Sequence, residues 1–304
     1  MSGSRSILIT DENKIWAHFG RNKETVIRDI NNIKYWIKIN NYFPEIPDDI
    51  MIQYFLTICN FSIERAKQCL DMYYAVRTVI PELFMNRSPS SSGMESTYKQ
   101  MTCFPLPDLT PNLERIIMVK INDVEVDTFN TIKLSALAYA NMFEVKMWED
   151  LCLGEKIFVD LKNIKISQAA AVGPKDIRKI GFILEKVWNL HLKEYHFMNV
   201  PTYAEKLVQL CKIVLGKSLG DKIFVHKSIE EVYKFIPREI LPKEYGGSQK
   251  SLSELNDAWL KKLRQYDDRF AVLENMDIIN ANRPKFGTNN LSEYYGNYMK
   301  IDVE

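Results

Sequence analysis

The chain has 304 residues, with 40 Lys and Arg against 39 Asp and Glu, a net charge of +1, and 46% hydrophobic residues. That is enough for two domains of about 150 residues, each with its own core, and the charge is too balanced to hold nucleic acid by an overall field. Apolar stretches such as 135–143 (SALAYANMF) fall well short of the ~20 residues of a membrane span, and the start MSGSRSILITDENK has no signal-peptide core. The five cysteines, Cys59, Cys69, Cys103, Cys152 and Cys211, form no CxxC pair. An odd count without such a pair predicts reduced thiols in a soluble, cytoplasmic protein rather than a disulfide framework or a zinc site.

Residues 11–85 read as helices. Trp16, Phe19, Ile27, Ile30, Ile33 and Ile37, then Met51, Phe55 and Leu56, recur at three- and four-residue spacing, as on a buried helical stripe. Asp48-Asp49 precede MIQYFL as a cap, Ser62 opens the next helix and Pro81 closes it. Residues 86–112, rich in Ser, Pro and Thr, read as a linker. Beyond it, β-rich runs at 115–121, 156–161, 195–201 and 222–227 alternate with helical stretches of ~15 residues. That alternation predicts an α/β layer on a mostly parallel sheet. A helical tail and a loop-rich end follow.

Catalytic signatures are missing. No GxGxxG follows a strand. Gly216-Lys217-Ser218 resembles the end of a phosphate loop, but Cys211 stands where the loop needs its first Gly, and the tripeptide ends a helix instead of opening one. There is no GxSxG, and His18, His191, His196 and His226 lack metal-ligand spacing. Asp160, at the end of the second run, has no partner nucleophile nearby in sequence and reads as structural. The expectation is no enzyme, no catalytic residue and no metal.

Residues 202–222 stand out. Leu207, Leu210, Cys211, Val214 and Leu215 form one apolar helical face, with Lys206, Lys212 and Lys217 on others. Two readings fit this pattern: an ordinary helix covering a sheet, or a movable cover over an apolar cavity whose lysines face a membrane. Residues 175–243 carry 13 Lys and Arg against 8 Asp and Glu, a local excess hidden by the near-neutral total.

Several ordered motifs then converge. Phe55-Leu56 with Asn60-Phe61-Ser62-Ile63-Glu64-Arg65-Ala66-Lys67, Phe158-Val159-Asp160-Leu161, His196-Phe197-Met198-Asn199-Val200-Pro201, Lys222-Ile223-Phe224-Val225-His226 and Ile240-Leu241-Pro242-Lys243-Glu244-Tyr245-Gly246-Gly247 appear in that sequence. Together the set resembles the CRAL-TRIO family, in its tocopherol- and retinaldehyde-binding branch, over roughly residues 45–260. Arg283-Pro284 and Lys300-Ile301-Asp302 resemble the insect form of that branch. The resemblance implies an all-helical N-terminal domain (1–85), a linker (86–112), an α/β lipid-binding domain (113–250) whose mostly parallel sheet floors a closed cavity under a mobile gate helix, and a helical and loop extension (251–304).

It further implies a carrier that binds a small hydrophobic lipid, most of all α-tocopherol, and moves it between membranes with phosphoinositide-assisted release. The alternatives are a retinoid or carotenoid carrier, or a phosphoinositide-sensing adaptor without transfer. The expected cavity wall is Leu134, Leu137, Ala138, Val159, Ile164, Ile180, Ile183, Leu184, Tyr195, Phe197, Leu207, Leu210, Cys211 and Val214, with Asn141 and the Tyr195 hydroxyl as polar handles. His191, Lys193, Lys212, Lys217 and Lys222 are the expected phosphoinositide cleft. His191 and Lys193 stand where relatives have Lys and Arg, so the cleft offers point charge rather than a bidentate fork. A monomer touching anionic membranes transiently, with no nucleic-acid partner, completes the expectation.

Overall fold

Short polar caps and apolar runs set the N-terminal layer. The structure, a computed structural model, describes residues 7–124, 131–276 and 291–300; the side chains of residues 83, 131–135 and 291–293 lie outside that description. Helices α1 (Glu12–His18), α2 (Lys23–Ile39), α3 (Asp49–Ile58) and α4 (Ile63–Ala75) come first. Asn22 and Thr25 cap α2 reciprocally, each side chain accepting from the other's backbone N–H at 2.9 and 3.0 Å, which satisfies two orphan donors. Helix α3 is buried from Met51 to Ile58. Asp48 sits at its N-cap but makes no side-chain cap bond, so its contribution there is charge against the helix dipole. The α3–α4 turn passes through two left-handed residues, Asn60 (φ 52°) and Phe61 (φ 58°).

The segment expected as a linker is structured. It holds helix α5 (Ser92–Gln100) and strand β1 (Met101–Leu109). Strand β1 is the antiparallel edge of a sheet whose other strands are β2 (Glu114–Ile121), β3 (Gly154–Asp160), β4 (Leu192–Met198) and β5 (Ile223–His226), all parallel. Pro105 and Pro107 hide this strand in the sequence, because proline cannot donate to a central ladder; an edge tolerates it. Register breaks between Pro105 and Leu109, and the wholly buried Arg115 donates to the Leu106 and Pro107 carbonyls at 2.8 and 2.6 Å and pairs with Asp150 at 2.6 Å.

Strand order equals chain order. The parallel crossovers run through α6 (Thr131–Glu149), then α7 (Ile166–Ala171) and α8 (Pro174–Phe182) with a π-helical turn Ile183–Val187, then α9 (Glu205–Gly220). Right-handed crossovers that never reverse direction place all these helices on one face. Without a reversal there is also no switch-point crevice, the place where such sheets bind nucleotides.

The other face is closed by α10 (Ile229–Val232) and the residues that follow it as far as the LPKEYGG turn. Lys156 Nζ donates to the Phe235 carbonyl at 3.0 Å, and Tyr245 packs edge-on against Phe158 with centroids 5.1 Å apart. Asp160 accepts from the Lys162 N–H, Asn199 Nδ2 and the Tyr245 hydroxyl at 3.0, 2.9 and 2.8 Å; its carboxylate is a structural tie joining β3, β4 and the LPKEYGG turn. Helix α11 (Leu252–Arg264) packs on β1 and α6, α12 (Asp267–Glu274) follows, and α13 (Leu291–Met299) packs on α8. Among the described residues no helix is long and apolar enough to cross a membrane. Arg283, Pro284, Ile301 and Asp302 lie outside the described residues.

Candidate ligand cavity

Between the helical crossovers and the sheet lie two adjoining lobes. The larger, about 190 Å³, is bordered by Phe84, Ile121, Ala136, Tyr139, Ala140, Ile164, Gln168, Val172, Ile180, Ile183, Leu184, Trp188 and Tyr195. The smaller, about 130 Å³, reaches α9 and adds Ile177, Leu192, Phe197, Leu207, Cys211, Leu215, Leu219 and Ile223. Val172, Ile180, Leu184 and Tyr195 border both. The local sequence explains the space. Ala136 and Ala140, four apart on α6, present methyls where larger side chains would fill the gap. The π turn inserts an extra residue into the α8 path, a feature frequent at functional sites, and its Ile183 and Leu184 border the larger lobe together with Trp188. A slab of rings backs this wall: Tyr139 stacks on Phe143 at 6.2 Å and Phe143 on Trp188 at 5.2 Å.

Polar atoms are few there. The hydroxyls of Tyr139 and Tyr195 lie 3.3 Å apart, and burial raises the pKa of both phenols, so both stay protonated. Gln168 Oε1 accepts from the Lys165 N–H at 2.8 Å. Burial pushes the Cys211 thiol up to about 11, which leaves it a small hydrophobe rather than a nucleophile. Among the described lining residues of either lobe there is no Lys, Arg, His, Asp or Glu, and among the described residues no cluster suits a metal ion.

The cover has a break and two clasps. Gly216 (φ 62°, ψ −169°) interrupts α9, leaving carbonyls of the turn before it without helical partners. Arg178 on α8 donates to one of these, Val214, and to the Tyr298 and Lys300 carbonyls, each at 2.8 Å. Glu185 accepts from the Ser218 and Tyr298 hydroxyls at 2.6 and 2.9 Å. Helices α8, α9 and α13 are thus bound together beside the smaller lobe. On the outer side of α9 Ile213 is 75% exposed, with Lys206 and Lys217 also exposed.

Residues 99–247 match the family model of the CRAL/TRIO domain, and residues 22–94 match that of the Pinta-like UBA domain. The chain is a CRAL/TRIO-domain protein. Alpha-tocopherol transfer protein-like of Mus musculus is 25% identical over 225 residues, and that of Homo sapiens 26% over 226 residues, each match covering 73% of this chain. It spans 65% of each relative's own length, just under two thirds. The crystal structure of Sfh5 superposes with a TM-score of 0.50 at 12% identity, covering 88% of this chain and 100% of that one; it speaks for the fold alone.

Within the CRAL/TRIO domain the expected wall residues divide. Ile164, Ile180, Ile183, Leu184, Tyr195, Phe197, Leu207 and Cys211 border the lobes. Leu137, Ala138, Val159 and Val214 are buried without bordering them, and Leu210 is half-buried off the cavity. The side chain of Leu134 lies outside the described residues. Asn141 is a correction: its amide donates to the Arg87 carbonyl and the Tyr98 hydroxyl at 2.7 and 3.0 Å. It sits on the face of α6 turned to the N-terminal layer, beside Glu144, which pairs with Arg87 at 3.2 Å and accepts from the Tyr73 hydroxyl. The sequence of α6 does not single out its cavity-facing positions, Ala136, Tyr139 and Ala140: apolar residues lie on every side of the helix and Leu137 to Met147 is buried almost throughout, so no single apolar stripe marks a phase. Trp188 was equally silent in sequence. Leu215 stood on the predicted stripe, four residues beyond Cys211, and that spacing was the available signal.

The five expected basic residues do not converge into one cleft. His191 and Lys193 share a polar groove of about 580 Å³ with His18, Phe19, Asn60 and Glu114. Burial, aided by Lys193 and Arg65, lowers the His191 pKa against the pull of Glu155, so the imidazole is neutral at pH 7. Lys222 Nζ donates to the Leu192 carbonyl at 2.8 Å, a tie between β4 and β5. Lys212 is half-buried on α9 and Lys217 exposed; neither borders the groove.

Proposed function

We propose that this protein binds one small hydrophobic lipid in the two-lobed cavity, α-tocopherol or a related hydroxylated isoprenoid, and carries it between membranes. The observation that carries this reading is an apolar, uncharged cavity beneath a helix whose inner face is apolar and whose outer face offers Ile213 with exposed lysines. Removing apolar surface from water stabilises a guest by about 25 cal/mol per Å², so release into water is unfavourable and release at a lipid surface is not. Displacement of α9 exposes the smaller lobe and lets its inner face lie in the interface. For that motion the Arg178 and Glu185 clasps must part, and anionic lipid biases the open state through Lys206 and Lys217.

Incubation of the full chain with phosphatidylcholine vesicles containing α-tocopherol, followed by native mass spectrometry, tests this. One bound tocopherol, delivered to acceptor vesicles faster than it crosses unaided, supports the carrier. A chain that never takes up tocopherol, retinol or phospholipid sinks it. A retinoid is the second reading, favoured by the small size of both lobes. For phosphoinositide-assisted release, Lys193 in its groove is the strongest of the expected residues. Lys193→Ala should weaken co-sedimentation with vesicles containing phosphatidylinositol bisphosphate at low salt. Binding to such vesicles without ligand transfer would instead mark a sensing adaptor.

A further inference from the structure

Helices α3 and α4 pack on each other around a close pair of thiols. Cys59 caps the C-terminus of α3, and the left-handed Asn60 and Phe61 turn the chain back, so that Cys69 on the second turn of α4 meets it. The Cys59 thiol donates to the Cys69 sulfur at 3.5 Å. Cys59 is buried, whereas Cys69 is partly exposed and open to a small reagent. The two sulfurs are unequal. The hydrogen bond from Cys59, with Arg65 and Lys186 nearby, lowers the Cys69 pKa against the cost of burial. Donating that bond, together with burial, raises the Cys59 pKa. Cys69 thus carries the more nucleophilic sulfur and Cys59 holds the proton. The other three thiols differ: burial raises the pKa of Cys103, that of Cys152 to about 12 and that of Cys211 to about 11. Neither Cys59 nor Cys69 borders a lobe of the cavity.

We propose that Cys59 and Cys69 form a redox-modification site for hydroperoxides, with Cys69 as the attacking thiol and Cys59 as the resolving one. In the first step Cys69 gives its proton to solvent and its sulfur attacks one peroxide oxygen. The O–O bond breaks, hydroxide leaves and is protonated to water, and Cys69 becomes a sulfenic acid. In the second step the Cys59 sulfur attacks that of Cys69, the S–O bond breaks, and the departing hydroxide takes the Cys59 proton as a second water. The two thiols lose two hydrogens and two electrons, and the peroxide receives them. The sulfurs must close by about 1.5 Å to reach the bonded length. The bond fastens the end of α3 to α4, the helix that packs on the π turn Ile183–Val187 behind the larger lobe. A thiol reductant reverses it, and the site does not depend on what the cavity holds.

Cys211, also partly exposed, is the internal control. At neutral pH Cys69 holds roughly a hundredfold more thiolate than Cys211, and its lower basicity returns about tenfold of that, so Cys69 should oxidise at least about tenfold faster. The full chain, reduced and then freed of reductant, is treated with hydrogen peroxide; samples are unfolded at intervals, alkylated and mapped by mass spectrometry. Cys59 and Cys69 should disappear together into one linked peptide that dithiothreitol restores, while Cys103, Cys152 and Cys211 remain alkylated. In Cys59→Ala the reaction should stop at a Cys69 sulfenic acid trapped by dimedone. In Cys69→Ala the buried Cys59 should react no faster than Cys211. Equal oxidation of Cys69 and Cys211 in the unaltered chain overturns the proposal whether or not the variants fold, as does passage of Cys69 to sulfinic acid without a linked peptide. Unchanged oxidation of Cys59 in a folded Cys69→Ala chain, with folding read by circular dichroism, overturns the order of the two steps.

Discussion

The two faces of strand β4 differ more than its sequence suggests. Tyr195 and Phe197 stack on each other at 4.9 Å and border the cavity. The alternate residues Glu194 and His196 enter a filled polar layer. There His196 Nδ1 meets His226 Nε2 at 2.9 Å, His196 Nε2 meets Glu194 Oε2 at 3.1 Å, and Lys156 binds Glu194 at 2.7 Å and Glu114 at 3.4 Å. Phe224 and Phe235 pack on the His196 ring at 5.5 and 5.1 Å. One face has its polar groups paired and its space occupied; the other has few polar groups and room. The difference teaches that stability and ligand binding are divided between the two sides of a single sheet, so that one can be altered with limited effect on the other.

The largest effect should come from matched truncations across the sheet. Phe158→Ala, on the filled face against Tyr245, should cost about 4 kcal/mol, the range for emptying a packed aromatic site. Phe197→Ala, already beside empty space and missing contacts on that side, should cost about 2 kcal/mol. Urea unfolding midpoints compare them, and equal losses would break the distinction between the faces.

The next effect is pH-dependent. Burial holds His196 down to about 4, and it outweighs the opposing pull of Glu194. The unfolded imidazole, near 6.5, takes up its proton first on acidification, so the unfolded state binds more protons between pH 6.5 and 4. Stability is therefore fully present above pH 6.5 and falls as pH drops towards 4, by up to about 3 kcal/mol from this group. The lowered pKa of His226, also caused first by burial, adds in the same sense. Thermal melts from pH 7 to 4.5 should show the decline, and His196→Phe should flatten it; a slope unchanged by that variant would remove the histidine layer as its cause.

The smallest effect on stability, and the one confined to the cavity side, should come from Arg178→Ala. It frees the Val214, Tyr298 and Lys300 carbonyls from one guanidinium. If α9 opens by parting that clasp, ligand exchange measured by stopped-flow transfer should quicken about tenfold, equivalent to ~1.4 kcal/mol, with the unfolding midpoint little moved. Unchanged exchange would mean that the clasp does not restrain the cover.

Much of this arrangement was legible residue by residue. The parallel strands announced themselves as short apolar, β-rich runs, and Asp160 read as structural, but nothing in the sequence named Asn199 or Tyr245 as the partners of its carboxylate. The apolar spacing of Leu207, Cys211 and Leu215 placed α9 over the sheet. Strand β1 was hidden because Pro105 and Pro107 read as breakers unless the strand is known to be an edge. Asn141 looked like a handle on an apolar helix, yet its partners, Arg87 and Tyr98, come from a segment read as a linker.

By itself, then, the sequence determined the order of elements, the helical layer followed by a mostly parallel sheet, and the family to which residues 99–247 belong, because local periodicity and contiguous motifs encode those things. Only the tertiary structure decided which side of α6 meets the cavity, that Tyr139 and Tyr195 share a hydrogen bond, and that the basic residues stay apart. Those facts depend on how side chains from distant segments meet, and a helix with apolar residues on every side, or a lone lysine, carries no record of its neighbour.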